Sequence, residues 1–355
     1  MLSVVLLQYG LNANTTIHPF GHGLINNTWL VDNDTKQFIL QRINTAVFKH
    51  PEYISENINV IADYLAIHTP GYFFCSPCKT VDGSTMVYTE EGCFRMFPFI
   101  PNSHSVIVAE NTAQTYEAAR KFGEFTKLLN GFPADTLKIT LPDFHNISLR
   151  YKNFLVSLES GNTTRIEQSA SLIAFLKEQH AIVSEYEAIK ASGHLKPRVT
   201  HHDTKISNVL FDEADKGICV IDLDTVMPGY FISDVGDMIR TYISPYGEEE
   251  KDFSKLEVRD DYFTAIAEGY LREMNTELNE VELNHFVFAG KFMIYMQALR
   301  FLTDHLNNDI YYGSKYEGHN FVRAANQAQL LQLLIEKEEK LQAIVLEIAA
   351  AKQHT

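Results

Sequence analysis

Short apolar, strand-like runs alternate with polar, turn-like stretches over the first hundred residues. Ile17 to Asn27 contains Phe20-Gly21-His22-Gly23, and Thr28-Trp29-Leu30-Val31 follows. Asp32-Asn33-Asp34 carries turn chemistry, and Phe38-Ile39-Leu40 reads as the returning strand. After Pro51 a helical pattern begins: Ile54, Ile58, Ile61 and Leu65 recur at helical spacing. Two more strands are predicted around Met86-Val87-Tyr88 and Cys93-Phe94-Arg95-Met96-Phe97, with Pro98 closing the second. From about residue 110 helical spacing takes over, in Thr112 to Asn130, in Ile166 to Ala191 and from Tyr262 onward. Short strands interrupt it between Val199 and Val226, where Val209-Leu210-Phe211 and Ile218-Cys219-Val220-Ile221 flank Asp215-Lys216-Gly217, a predicted hairpin. The expectation is an α+β chain of two lobes: a small β-rich lobe with one helix over residues 1–98, and a larger helical lobe over residues 99–355.

Composition narrows the class. The chain has 355 residues, 45% hydrophobic and 21% charged, the balance of a soluble globular protein with a large core. A net charge of -15 excludes a nucleic-acid backbone as the expected partner, although local cations can still bind a nucleotide. Cys75 and Cys78 form a C-x-x-C, but Cys93 and Cys219 complete no metal set, so all four are expected as reduced packing thiols in a reducing compartment. The apolar run Val4 to Leu7 is short and has no basic flank, and no stretch approaches the roughly 18 apolar residues of a membrane span. The expectation is a cytoplasmic protein with no membrane partner, as monomer or homodimer. The charged run Glu248-Glu249-Glu250-Lys251-Asp252 reads as a solvated loop.

The densest chemistry lies in His201-His202-Asp203-Thr204-Lys205-Ile206-Ser207-Asn208, with Asp222 ending the next predicted strand. Phosphoryl transfer needs placement and charge stabilisation rather than covalent chemistry. It takes a carboxylate at the acceptor hydroxyl and an amide and a carboxylate on a metal ion. An H-x-D-x-K-x-x-N loop followed by a hairpin ending in aspartate supplies these in the order of a protein-kinase catalytic loop. Singly, Asp203, Asn208 and Asp222 read as turn residues; jointly, with Lys205 in register, they point to a kinase.

These motifs, with Ile221-Asp222-Leu223-Asp224, Gly229 and Asp234-Val235-Gly236-Asp237, resemble the aminoglycoside phosphotransferase and choline kinase superfamily. The resemblance implies the bilobal protein-kinase-like fold, ATP and Mg²⁺ as cofactors, Asp203 as catalytic base, and Asn208 and Asp222 as metal ligands. It makes Asp224 a further metal or substrate contact. Lys205 is placed to reach the transferring phosphoryl group, and His201 to brace the loop. His202 stands where the superfamily has Gly or Asn. On the nucleotide side, Gly21, Gly23, Asn26 and Thr28 are expected to cradle phosphates, and Phe97 and Phe99 belong to the connector that meets the adenine. The third-strand lysine is missing. Arg42, with Glu56 as partner, is its expected replacement, but alternation puts Gln41 and Arg42 on opposite faces and leaves open which enters the cleft.

Longer stretches resemble the bacterial N-acetylhexosamine 1-kinases: Ile39 to Asn44 with Val47-Phe48-Lys49, Pro142-Asp143-Phe144-His145, Thr200 to Asn208, Ile221 to Gly229, and Leu299 to Asp304. That resemblance implies phosphorylation of the anomeric hydroxyl of N-acetylglucosamine or N-acetylgalactosamine, with sugar contacts at Asp203, Arg300 and Tyr311. Arg300 and Asp304, four apart on a helix, fit such a site and a surface ion pair equally. Tyr311 and Tyr312 fit the site and plain packing equally, and the His319/Arg323 pair is expected to be structural. The alternatives are a kinase for choline, an aminoglycoside or an amino alcohol, and a relative that binds nucleotide without catalysis.

Overall fold

Strand alternation sets the architecture of the first lobe. The computed structural model describes residues 2–12, 15–21 and 25–352. Among these, β1 (Thr16–Pro19), β2 (Asn27–Asp32), β3 (Gln37–Ile43), β4 (Val87–Thr89) and β5 (Gly92–Pro98) form an antiparallel sheet in the order β1-β2-β3-β5-β4. The β2–β3 turn is held by Asn33, whose side-chain oxygen accepts from the Thr35 and Lys36 amides at 3.2 and 2.8 Å, with Asp34 left-handed at φ 68°. One face of the sheet packs Val31, Leu40, Phe94 and Met96 against Val5 and Leu6. Those last two belong to α1 (Leu2–Gln8), so the apolar run at the N-terminus is a helix covering the sheet, a second helix in a lobe expected to hold one. The lobe's other helix, α2 (Pro51–His68), starts with proline at its first position and buries Ile54, Ile58, Ile61 and Leu65.

Register decides which polar side chains face the cleft. Gln41 pairs with Arg95 and Arg42 with Phe94. Gln41, Ile43, Cys93 and Arg95 therefore share the inner face, while Arg42 shares the outer face with Leu40, Phe94 and Met96.

Beyond Pro98 the chain is mainly helical. The long elements are α3 (Thr112–Leu128), α4 (Ile147–Ser160), α8 (Phe231–Tyr242), α9 (Asp260–Met274), α11 (Phe286–Leu306) and α12 (His319–Lys352), with the short α10 (Glu280–Asn284) before α11. Buried along almost its whole length, α11 packs on α12, α8 and α4. It approaches α8 so closely that a Cβ on Gly236 would collide with the Ala289 carbonyl oxygen. The single helix expected over 166–191 is three: α5 (Thr163–Gln168), α6 (Ala170–Glu178) and α7 (Ala181–Ala191). Arg165 ties α5 to the end of α11, reaching the His305 carbonyl and Asp309 at 2.7 Å each, and the chain turns at Ser169 to follow that anchor. Two small ribbons lie at the cleft: β6 (Arg198–Thr200) with β9 (Met227–Gly229), and the hairpin β7 (Val209–Phe211) with β8 (Gly217–Val220). No helix among the described residues is long and apolar enough to cross a membrane.

Candidate active site

The loop leaving β6 is positioned by one buried carboxylate. Asp234, in the first turn of α8, accepts from the His201 and His202 amides at 3.1 and 2.7 Å. Thr204 donates its hydroxyl to the Asp234 carbonyl at 2.7 Å, and Tyr242 donates to the Thr204 carbonyl at 2.6 Å. Burial pushes the Asp234 carboxyl up to about 6, against the pull of His201 and the two amides. His201 braces the loop from its other side. Its Nδ1 accepts from the Asp203 amide at 3.3 Å, which puts the ring proton on Nε2, 3.0 Å from the Ile221 carbonyl. Thr225 closes the frame by donating to the His201 carbonyl at 2.7 Å.

Asp203 emerges half-buried from this frame. Lys205 Nζ lies 3.1 Å from its Oδ2. Burial lowers the Lys205 pKa, but Asp203, Asp237 and Asp222 outweigh it and hold the ammonium above its ordinary value. Asn208 donates to the Asp203 carbonyl at 2.8 Å and to its carboxylate at 3.1 Å. The carboxamide nitrogen is spent there; the oxygen is what Asn208 has to offer an ion. The Ile221 amide donates to the Asn208 carbonyl at 2.8 Å, joining the loop to the end of β8. Asp222 follows in the left-handed region, φ 59° and ψ 56°, before a 3₁₀ turn over Leu223–Thr225. The surrounding protein first, then Asp224 and Asp203, raise its carboxyl to about 7; the residue is exposed to the open cleft, and water there offsets part of the rise.

These donors fit a small hard cation. Asp222 and Asn208 supply oxygens, and a cation beside Asp222 relieves the repulsion among the three aspartates. Among the described residues no three His, Cys, Asp or Glu side chains converge to hold an ion alone. That suits magnesium, which takes one or two carboxylates and completes its shell with phosphates and water.

The nucleotide side departs from the sequence expectation. Arg42 lies on the outer face, where it donates to Asn27 at 2.8 Å, and among the described residues it has no ion pair with Glu56. The cation facing the cleft is Arg95 on β5. Its Nε and Nη2 donate to Gln41 Oε1 at 3.0 and 2.8 Å, and Nη2 forms an ion pair with Asp224. Asp224 also accepts from Asn26 Nδ2 at 2.8 Å, and it is buried. Its two oxygens thus engage groups of the first lobe, at the residue expected as a further metal or substrate contact. Thr28 accepts from Gln41 Nε2 at 3.4 Å. Gly21 is left-handed at φ 76°; Gly23 lies outside the described residues. The Arg95 guanidinium sits 5.0 Å from the Phe97 ring centre, and Phe99 meets Phe20 edge to face at 6.1 Å.

A continuous wall runs from the catalytic loop toward Arg300. His202 is left-handed at φ 67°, and its ring fills the space beside Gly229, where a Cβ would approach to 2.5 Å. Burial lowers its pKa to about 4 and holds His145 well below the usual range. The two neutral rings meet through their Nδ1 atoms at 3.4 Å. Phe144 stacks on His145 at 4.4 Å, and the Arg300 guanidinium lies 5.7 Å from Phe144 and 5.5 Å from Tyr312. Gln297 accepts from Arg300 at 3.2 Å and donates to the Tyr312 hydroxyl at 3.4 Å. Arg150, from α4, donates to the Asp143 carbonyl at 2.7 Å, and Arg300 presses its pKa down further than burial alone.

Tyr311 is 72% exposed, and Tyr312 makes the contact with Arg300. Two expectations change on this side. Asp304 does not pair with Arg300: it accepts from the Tyr311 and Tyr312 amides at 2.7 and 2.9 Å and from Asn320 at 3.1 Å. The acidic run is not simply solvated, because Glu248 sits between Arg240 and Arg323, and Arg323 stacks on Phe301 at 3.7 Å. Arg240 in turn holds Asp237 at 2.9 Å, below the loop that carries Asp203. Sequence reasoning missed Arg95, Gln41 as its partner, and Glu248. Arg95 alone left a usable trace, as the one charged residue in Cys93 to Phe97.

The pattern that defines the phosphotransferase enzyme family matches residues 16–272, which hold the whole loop-and-hairpin constellation. Among solved structures, a microcompartment-associated aminopropanol kinase superposes with a TM-score of 0.61 at 13% identity, covering 96% of this chain and 97% of that one. A spectinomycin phosphotransferase crystallised with ADP and spectinomycin gives 0.56 at 13% identity, covering 95% and 97%. An ethanolamine kinase from Plasmodium vivax gives 0.57 at 13% identity, covering 92% and 87%. At such identities the likeness establishes the fold: the bilobal, protein-kinase-like α+β architecture.

Proposed function

Since the chain belongs to the phosphotransferase enzyme family, we propose that it transfers the terminal phosphoryl group of ATP, with Mg²⁺, to the anomeric hydroxyl of an N-acetylhexosamine. Residues 1–98 serve as the nucleotide lobe and residues 99–355 as the catalytic and acceptor lobe. Asp203 accepts the proton of the attacking hydroxyl and aims its oxygen, and His201 and Asp234 keep Asp203 in place. Lys205 balances charge beside Asp203 and reaches toward the transferring group. Asn208 and Asp222 would hold the ion, which would supply charge neutralisation for the transfer. Phe97 and Phe99 border the adenine, and Asn26 and Thr28 border the phosphates. ATP use is supported by the ADP complex of the spectinomycin phosphotransferase.

The observation that carries the acceptor class is the wall at Arg300. Arg150 and Arg300 bring two guanidinium groups to it, and neither has a carboxylate partner among the described residues. A pocket for a cationic amine needs anions or aromatic faces free of other cations to offset desolvation of the ammonium, and two guanidinium groups oppose it. Guanidinium donors, the Tyr312 hydroxyl and the face of Phe144 suit the hydroxyls, acetamido oxygen and apolar face of a sugar. The choline, amino-alcohol and aminoglycoside readings meet this wall as a mismatch.

The test is turnover of ATP against N-acetylglucosamine, N-acetylgalactosamine, glucose, choline, aminopropanol and kanamycin, with the product's phosphate located by phosphorus–proton NMR coupling. The expected result is a 1-phosphate of an N-acetylhexosamine and poor use of glucose, because site groups that lose their acetamido partner are left unpaired. Phosphate on carbon 6, or rapid turnover confined to an amine, removes the sugar 1-kinase assignment and leaves the phosphotransferase standing.

A further inference from the structure

An arginine in the middle of an apolar strand needs a reason. Arg95 and Asp224 are 2% and 3% exposed, and a buried ion pair repays its desolvation only when the geometry is good and the remaining polar atoms are satisfied. Arg95 Nη1 is buried without a hydrogen-bond partner among the described residues, so packing stability alone does not account for the pair. The pair also joins different lobes, β5 of the sheet and the 3₁₀ turn after β8. Asn26, at the edge of the glycine loop, adds a second tie to the same carboxylate and accepts from the Asn44 amide at 3.0 Å.

Resting on the phosphotransferase reading, we infer that Arg95 is the positioning cation of the nucleotide site: held by Gln41, it fixes Asp224 and so orients Asp222 toward the phosphates and their ion, while Asn26 joins the glycine loop to the same anchor. The third-strand lysine of a protein kinase pairs with a helix of its own lobe. Here a cation one strand further on pairs with the segment that carries the candidate metal ligand. In this role Arg95 acts through the turn Leu223–Thr225 rather than by contact with nucleotide or acceptor. A planar fork suits this work, since Arg95 engages Gln41 through two nitrogens while pairing with Asp224.

Calorimetric affinities for AMP and for the magnesium complex of AMP-PNP separate this role from a merely structural one. AMP reads the adenine pocket and reports folding; AMP-PNP with Mg²⁺ reads the phosphate and ion site. Arg95→Met and Asp224→Asn are each expected to bind AMP within about twofold of wild type and the AMP-PNP complex at least about tenfold more weakly. The double variant is expected to be no weaker than the singles, because all act on one anchor. Arg95→Lys is expected to fall between wild type and Arg95→Met. Wild-type affinity for AMP-PNP in Arg95→Met, additive losses in the double variant, or a loss confined to Arg42→Met overturns the inference. If Arg95→Met does not fold, Asn26→Ala carries the test, with the same selective loss expected and wild-type binding overturning it. Wild-type protein that binds neither nucleotide is a different result: it removes the phosphotransferase reading, and this inference with it.

Discussion

At the scale of single residues, Asp203 has one face toward solvent and the rest committed. Lys205 and Asn208 hold its carboxylate, and His201 holds its amide. Asp203→Asn keeps the shape and the Asn208 contact but removes the proton acceptor. Its turnover is expected to fall by about 10²–10⁴-fold, while AMP-PNP affinity stays near wild type; steady-state kinetics beside calorimetry check both. Arg300 gives a different signature. It lies on the wall and away from the transferred group, so Arg300→Ala is expected to raise KM for the sugar about tenfold or more with little change in KM for ATP. Equal changes in both constants would move Arg300 out of the acceptor site. His202 illustrates how a residue becomes possible through its surroundings. A left-handed backbone favours glycine or asparagine. The imidazole is accommodated because Gly229 has no Cβ and His145 takes its ring nitrogen.

At the scale of elements, the site depends on α8 being seated tightly on α11. Asp234 and Asp237 lie on α8, one holding the catalytic loop and the other Arg240. Gly236 stands between them at the helix contact, where an added Cβ would meet the Ala289 carbonyl oxygen, and backbone on backbone has little room to give. Gly236→Ala is therefore expected to destabilise the fold by about 1–3 kcal/mol or more, by overpacking. Gly247→Ala, with open space at its Cβ and an ordinary backbone, is expected to change stability little. Urea denaturation of both variants decides this. The hairpin β7–β8 and the ribbon β6–β9 act as paired supports, one carrying Asp222 at its end and the other leading into Asp203.

At the scale of the whole molecule, two lobes meet across a cleft whose floor collects Asp203, Asp222 and Asp224 and whose roof supplies Arg95 and Asn26. The second lobe adds a separate network, Asp237–Arg240–Glu248–Arg323, which links the region under Asp203 to the aromatic residues near Tyr312. A nucleotide bound only by the folded protein stabilises it by mass action, about 2.7 kcal/mol at a hundredfold excess over Kd. ADP with Mg²⁺ is expected to raise the melting temperature, and EDTA is expected to remove most of that gain and to stop turnover. An unchanged rate in EDTA would exclude the ion from the reaction.

The sequence by itself determined the elements whose signals are local. The apolar runs of β2 and β3 with the Asp-Asn-Asp turn between them, the apolar spacing of α2 and the Asp-Lys-Gly turn of β7–β8 depend on neighbours along the chain. The spacing of Asp203, Asn208 and Asp222 likewise survives without coordinates, because a loop and one hairpin bring them together. What only the tertiary structure decided are the pairings between distant segments. Register placed Arg95 opposite Gln41 on the cleft face, and a shift of one residue would have set it against Leu40 or Arg42 on the other face. Asp224 turned to the other lobe because a buried carboxylate must find donors, and Arg95 and Asn26 were the ones within reach. Glu248 left the solvent because two arginines, from α8 and α12, converge on its position. Charge pairing at long range has no period, and so it leaves no pattern along the chain.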